Sequence, residues 1–323
     1  MSNYHEPVML KEVLENLNPK AGQIFVDATL GGGGYTEALA QSVGKEGKVL
    51  AIDADEMAIE NAKKLIKEKK INNIALVHDN FRNLQNILVK NKLDVIDGIV
   101  ADLGLSSAQL QDRSRGFSFG LDAPLVMSFD SADQETTLDI VNKYSKEKLE
   151  QIIREYGEER YAGRISGAIV QARRSPETMH SGRRIAPAIR SAKQLAQIIF
   201  NAVPAAYRHG RVHPATRTFQ ALRIATNDEL TSLQELLSQS VSVLKKGGRI
   251  AVVSFHSLED RIVKNFFRTQ AKDCVCPSEI PICQCGHQRS LKIINKKVIT
   301  PSIGEIKNNA RSRSAKLRVA QRI

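Results

Sequence analysis

Three aspartates and one run of glycines are the residues whose spacing points most directly to chemistry. In DATLGGGGYTEAL, residues 27–39, four consecutive glycines separate an apolar run from a helix-like segment. A dinucleotide site expects G-x-G-x-x-G directly after the first strand. Gly31 and Gly33 fit that spacing, but Thr36 stands in the third position. A P-loop requires Lys-Ser/Thr after its glycines, and no lysine follows these. The carboxylates favour a nucleoside of another kind. Asp27 lies four residues before Gly31, at an expected strand end where it can meet a cationic or amine-bearing ligand. Asp53 follows Gly33 by 20 residues, where a carboxylate accepts both hydroxyls of a ribose. An adenosine ribose, no phosphate and an amino-acid tail together describe S-adenosylmethionine. Bare glycine backbone lets its methionyl end approach without meeting a Cβ. A glycine-rich turn with no ligand is the bland alternative.

The next two strand ends extend the pattern. Phe81, in HDNF, either covers one face of an adenine or joins the core. Asp102, in ADLGLSS, projects at the carboxyl edge of the expected sheet, where open α/β folds place their chemistry. Gln109 follows in the loop. Elsewhere, SFHSLEDR offers Ser254, His256 and Asp260 as a hydrolase triad, yet no G-x-S-x-G elbow accompanies them. Asp260 instead precedes an amphipathic run, as a helix-start acid does. Cys274, Cys276, Cys283 and Cys285, with His287, place five soft ligands within fourteen residues. They can hold a structural zinc, although Cys-x-Cys pairs are less diagnostic than Cys-x₂-Cys.

The elements that must position these residues are legible as periodicities. QIFVDAT, KVLAIDAD, NIALVHDNF and DVIDGIVADLG predict four strands, alternating with helices near 36–42 and in MAIENAKKLIKEKK. That rhythm predicts right-handed βαβ units and a mostly parallel sheet. From about residue 108 it gives way to loop-like and helical segments, and strand signals return only at GGRIAVVSFHS and KLRVAQRI. The division expected is a first α/β part over 1–107, an inserted helical substrate-recognition domain over 108–210, and a second α/β part over 211–323. No window predicts a transmembrane helix and the N-terminus lacks signal-peptide architecture, so a cytoplasmic location is expected. The net charge is +12 and unevenly spread. Residues 160–223 carry eleven Arg and one Lys against Glu177, and residues 286–323 carry ten basic residues against Glu305. Such blocks fit a polyanion, and their arginine bias favours nucleic acid.

Several motifs together resemble a known family. HEPVML (5–10), DATLGGGGYTEAL (27–39), ADLGLSSAQL (101–110), RGFSF (115–119), HPATRTFQALR (213–223), SFHSLEDRIVK (254–264) and NNARSRSAKLRVA (308–320) resemble the bacterial ribosomal small-subunit RNA methyltransferase H family, also called MraW, nearly end to end. The resemblance implies a Rossmann-like S-adenosylmethionine-dependent methyltransferase fold with an inserted helical domain. It implies methyl transfer to the exocyclic N4 of a cytidine in the decoding region of 16S rRNA, with the small ribosomal subunit as partner. Carried over by position, the cofactor contacts are Gly33, Gly34, Tyr35, Asp53, Phe81, Asp102 and Gln109. Asp102, with the carbonyls of Leu103 and Gly104, becomes the candidate acceptor of N4–H bonds. The Pro-Pro-aromatic that many amino-group methyltransferases place after this acid is missing, so Phe117 and Phe119 become candidates for stacking the base. His213, Arg217, His256 and Arg261 are expected at the RNA or substrate loop, with structural roles as the alternative. Two departures stand out. Tyr35 replaces the usual His, and PLVMSFD replaces PLDMRMD, so Val126 and Ser128 stand for an acid and an arginine. A non-catalytic RNA-binding or assembly factor with a vestigial fold, and a DNA amino-methyltransferase, are the rival functions.

Overall fold

QIFVD, KVLAID and IDGIVAD are short, branched and apolar, which suits strands buried on both faces. Each becomes a central strand in the computed structural model, which describes residues 7–120, 122–130, 135–174, 179–180, 183–184, 189–210, 212–277, 279 and 282–323. His5 and Glu6 of the HEPVML motif lie outside the described residues. The chain forms two compact units, Met1–Gly104 with Leu230–Ile323, and Leu105–Glu229.

The first unit is an α/β sandwich around a seven-stranded sheet. Its strands are β1 (Ile24–Asp27), β2 (Lys48–Asp53), β3 (Ile74–His78), β4 (Ile96–Asp102), β5 (Leu244–Ser254), β6 (Leu291–Ile293) and β7 (Lys316–Arg322). They lie in the order β3-β2-β1-β4-β5-β7-β6. β1 to β5 pair in parallel, while β7 runs antiparallel to both β5 and β6. This is the expected Rossmann-like methyltransferase arrangement. Strand order reverses at β1, which has β2 on one side and β4 on the other. The carboxyl ends of β1 and β4 therefore flank the switch point where open sheets bind ligands.

Alternation along the strands feeds two cores. Ile99, Ala101, Ile250 and Val252 face Leu84, Ile87, Leu236 and Phe267, which come from helices α4 (Leu84–Lys90), α12 (Glu229–Val243) and α13 (Ser257–Gln270). Val100, Ala251 and Val253 face Val13, Leu17 and Leu39 from α1 (Leu10–Leu17) and α2 (Gly34–Val43). Helix α3 (Glu56–Lys69) covers Ala51 and Leu30 with Ile59 and Ala62.

The second unit is helical, with the short helices α6 (Thr137–Lys143) and α10 (Ala205–Arg208) among longer ones. α7 (Lys146–Gly157), α8 (Ala162–Ala172), α9 (Ala192–Ala202) and α11 (Ala215–Asn227) bury Leu149, Ile153, Ile165, Ile169, Leu195, Ile199, Phe219 and Leu222 in one cluster. The i, i+3 and i+4 spacing of these residues gives each helix one apolar stripe. Gly157 lets α7 approach α11 closely, since a Cβ there would stand 2.7 Å from the Arg217 carbonyl oxygen. The expected division at residue 210 is corrected to 229, because α11 contributes Ala215, Phe219, Ala221 and Leu222 to this helical core. The start, expected at 108, falls at Leu105. Among the described residues no helix is long and apolar enough to cross a membrane.

Gly98 sits mid-strand under Phe25, where an added Cβ would meet the ring at 2.3 Å. Phe25 is 1% exposed and has no room to retreat. Gly98→Ala is expected to lower the unfolding free energy by about 1–3 kcal/mol, read as a reduced denaturant midpoint with an unchanged slope.

Candidate active site

The carboxyl ends of β1, β2 and β4 bring the three aspartates to one edge of the sheet. Asp27 is fully buried. Its Oδ2 accepts from the Thr36 hydroxyl (2.6 Å) and its Oδ1 from the Thr29 N–H (3.1 Å). Burial pushes its carboxyl pKa up to about 6, against the pull of those donors. Asp27, expected to meet an amine-bearing ligand, is fully buried and clamps the glycine turn through Thr29 and Thr36. Thr29 continues the chain of contacts by accepting the Asp102 N–H at its hydroxyl, at 2.6 Å.

The turn itself is fixed from two sides. Gly31 donates its N–H to Asp53 Oδ2 (2.7 Å), while Asp55 N–H meets Asp53 Oδ1 (2.9 Å). Gly31 and Gly33 take φ of +48° and +80°, the left-handed region that glycine enters without strain. Gly33 caps α2. Gly34 is constrained differently, because a Cβ there would collide with the Pro7 ring at 2.7 Å. Gly32 has nothing within 4 Å of its Cβ position and leaves open backbone.

Asp102 ends β4 with its Oδ1 buried and, among the described residues, without a hydrogen-bond partner. Burial, then the negative charges of Asp27 and Glu259, raises its pKa well above the usual carboxylate range. An orphaned buried acceptor is a costly feature, and at a sheet switch point it marks a position for a ligand donor. Asp53, at the end of β2, accepts from the turn at both oxygens, and a carboxylate oxygen carries two lone pairs. The open backbone, the ribose-type acid and the unpaired acceptor fit a nucleoside carrying an amine and an amino-acid end.

Phe81 begins a single 3₁₀ turn (Phe81–Asn83), half-buried against the core, after Asn80 has capped it through Arg82 N–H. The N–H of neighbouring Asp79 donates to the Asp53 carbonyl (3.1 Å), tying this turn to the end of β2. Tyr35 lies in the first turn of α2. Its ring is 3% exposed and its hydroxyl donates to the Val8 carbonyl. Thr29, Thr36 and Glu259 were not singled out from the sequence, although Thr36 is the residue that breaks the dinucleotide pattern.

SFHSLEDR has a structural arrangement. Ser254 donates to the Lys316 carbonyl, His256 caps α13 by accepting the Glu259 N–H at Nδ1 (3.4 Å), and Asp260 holds Lys316 (3.2 Å) and Arg318 (2.6 Å). No triad forms from them. His256, expected at the RNA, is 9% exposed; its Nε2 lies 3.1 Å from Glu259 Oε1 but is turned out of hydrogen-bond alignment. Arg261 is exposed on α13. A cavity of about 320 Å³ beside this segment is lined by Phe255, His256, Arg313 and Lys316 and shares no residue with the glycine turn, Asp53 or Asp102.

Within the helical unit, Gln109 closes a capping box on α5 (Ser107–Gln111), accepting the Ser106 N–H at 2.9 Å. Phe117, expected to stack a base, is 7% exposed, stacked on Phe129 at 5.7 Å and covered by the Arg115 guanidinium, so it anchors its loop. Phe119 is half-buried and stacks on exposed His213 at 4.6 Å. Arg217 is exposed and donates to the Glu158 carbonyl. Ser128 is 4% exposed and donates to the Asp130 carbonyl, while Val126 N–H meets the Pro124 carbonyl.

The Asp27 pKa has a consequence for stability. A buried acid raised to about 6 stabilises the fold fully below its unfolded pKa near 4, and that contribution is lost as pH rises through 6. The loss is about 2–3 kcal/mol between pH 4 and pH 7. Asp27→Asn, which keeps the shape, should remove this slope, so the wild type minus variant difference in denaturation free energy should change by that amount across the window.

Comparison with known proteins gives a single outcome. The family model described as "MraW methylase family" matches residues 2–323. A protein of Halothermothrix orenii named ribosomal RNA small subunit methyltransferase H is 47% identical over 319 residues, covering 99% of this chain and 98% of the relative. Proteins of the same name from Carboxydothermus hydrogenoformans and Caldicellulosiruptor saccharolyticus are 46% and 47% identical, again over 99% of this chain, and over 98% and 99% of their own lengths.

Proposed function

We propose that this chain, which belongs to the MraW methylase family, transfers a methyl group from S-adenosylmethionine to the exocyclic N4 of a cytidine in the decoding region of 16S rRNA. The orphaned Oδ1 of Asp102 is the observation that carries this assignment. Bound S-adenosylmethionine supplies a methyl on a sulfonium, open to in-line displacement. Asp53, at the end of β2, accepts the ribose hydroxyls, and the main chain around Gly32 and Gly33 receives the methionyl end. Phe81 borders the base.

The difficulty lies with the nucleophile, because the N4 lone pair of cytosine is delocalised into its ring. A fixed acceptor for N4–H draws that nitrogen towards tetrahedral geometry and aims its lone pair. Positioning of this kind is worth up to about 7–11 kcal/mol. Asp102 accepts the N4–H, and its raised pKa makes it a better proton acceptor than an exposed aspartate. The 16S rRNA of the small ribosomal subunit meets the basic helical unit, where Arg160, Arg164, Arg174, Arg190 and Arg217 are exposed. Arg173 and Arg223 are not available for this. Arg173 donates to the buried Val141 carbonyl, and Arg223 forms a two-pronged pair with Glu229 at 2.7 and 2.8 Å. The protein acts in the cytoplasm, on ribosomal particles.

Transfer of labelled methyl to small-subunit particles, followed by nucleoside analysis, tests the assignment. N4-methylcytidine should carry the label. Asp102→Asn should lower the rate by about 10²–10⁴-fold without lowering the thermal midpoint, since it removes a buried charge. Label in another nucleoside, or a fully active Asp102→Asn protein, would contradict it.

A further inference from the structure

The segment between α13 and β6 runs from residue 271 to 290, and its described residues form no helix or strand. A stretch this long without regular structure needs something else to hold it. Among its described residues an apolar core does not, since Val275 and Ile282 are 41% and 75% exposed. What the segment does contain is all four cysteines of the chain, with their sulfurs gathered at one point.

The geometry is that of a coordination shell. The four Sγ atoms lie within 4.8 Å of one another. Cys274 Sγ is 3.8 Å from Cys285 Sγ, and Cys283 Sγ is 3.5 Å from Cys285 Sγ. A tetrahedral tetrathiolate zinc, with Zn–S near 2.3 Å, has sulfur–sulfur edges of about 3.8 Å. Disulfides, by contrast, require about 2.05 Å. Main-chain amides point at the sulfurs as they do around metal-bound thiolates. Cys276 N–H donates to Cys274 Sγ (3.4 Å), Val275 N–H to Cys285 Sγ (3.5 Å) and Gln284 N–H to Cys276 Sγ (3.4 Å). These donors offset the charge of four deprotonated sulfurs. His287 is turned away and meets the Thr269 carbonyl with Nε2 at 3.1 Å, so the ligand set is all sulfur.

We infer that Cys274, Cys276, Cys283 and Cys285 bind one structural zinc ion that pins this segment. The base of the segment is already closed by Ser290 N–H on the Gln270 carbonyl (2.9 Å), and the ion closes its outer end. A closed shell with four protein ligands keeps no open position for catalysis. The site therefore stands or falls apart from the methyl-transfer assignment.

The full chain, purified without added metal or chelator, should contain one zinc ion per molecule by elemental mass spectrometry. Titrating its thiols with p-hydroxymercuribenzoate should release that zinc to 4-(2-pyridylazo)resorcinol in step with the fourth thiol. The double variant Cys283→Ser/Cys285→Ser should fall to trace metal while still binding S-adenosylmethionine, which shows that it folds. Cobalt added to metal-stripped chain should give the visible spectrum of a tetrahedral thiolate complex. Trace metal in the wild type, with four freely reactive thiols that zinc addition does not protect, would overturn the inference. So would an intact mass showing two disulfides.

Discussion

The hydrogen bonds of Thr29 are the constraint on which the site depends. Its N–H holds Asp27 and its hydroxyl accepts the Asp102 N–H, so the ends of β1 and β4 are tied together at the sheet's switch point. This satisfies the main-chain N–H of Asp102 while its Oδ1 has no donor among the described residues. An unsatisfied buried acceptor costs about 1–3 kcal/mol, and Asp27 adds its own burial penalty beside it. Such strain concentrated at one edge is characteristic of sites that complete themselves with a ligand. Two interdigitated cores, one on each face of the sheet, offset it.

The charge asymmetry of the chain resolves into two kinds of cation. Some basic residues build the fold: Lys316 and Arg318 neutralise Asp260, Arg322 donates to the Val241 and Ser290 carbonyls, and Arg223 clasps Glu229. Others, such as Arg160, stay on the surface; Arg160 lies over the rings of Tyr161 and Tyr207 at 4.7 and 4.9 Å.

Much of this was legible in the sequence wherever period and spacing carry the signal. The five parallel strands follow from short apolar runs, and Asp53 and Asp102 sit at the strand ends that spacing assigns to them. Burial was not legible from residue type. Tyr35, His256 and Phe117 are chemically suited to ligands, yet the fold partners them with the Val8 carbonyl, the Glu259 N–H of the same helix cap and the Phe129 ring. The four glycines looked alike, whereas two serve backbone conformation, one avoids Pro7 and one lies open. The boundary at Glu229 was missed because an amphipathic helix shows that it has an apolar face but not which core that face joins. β6, three residues long, is too short for any periodicity to mark it.

Calorimetric titration of the purified chain with S-adenosylmethionine, NAD and ATP tests most directly whether this edge is a methyl-donor site. Saturable heat is predicted with the sulfonium compound alone, and it should vanish in Asp53→Ala. Uptake of NAD or ATP together with no response to S-adenosylmethionine would contradict the account at its base.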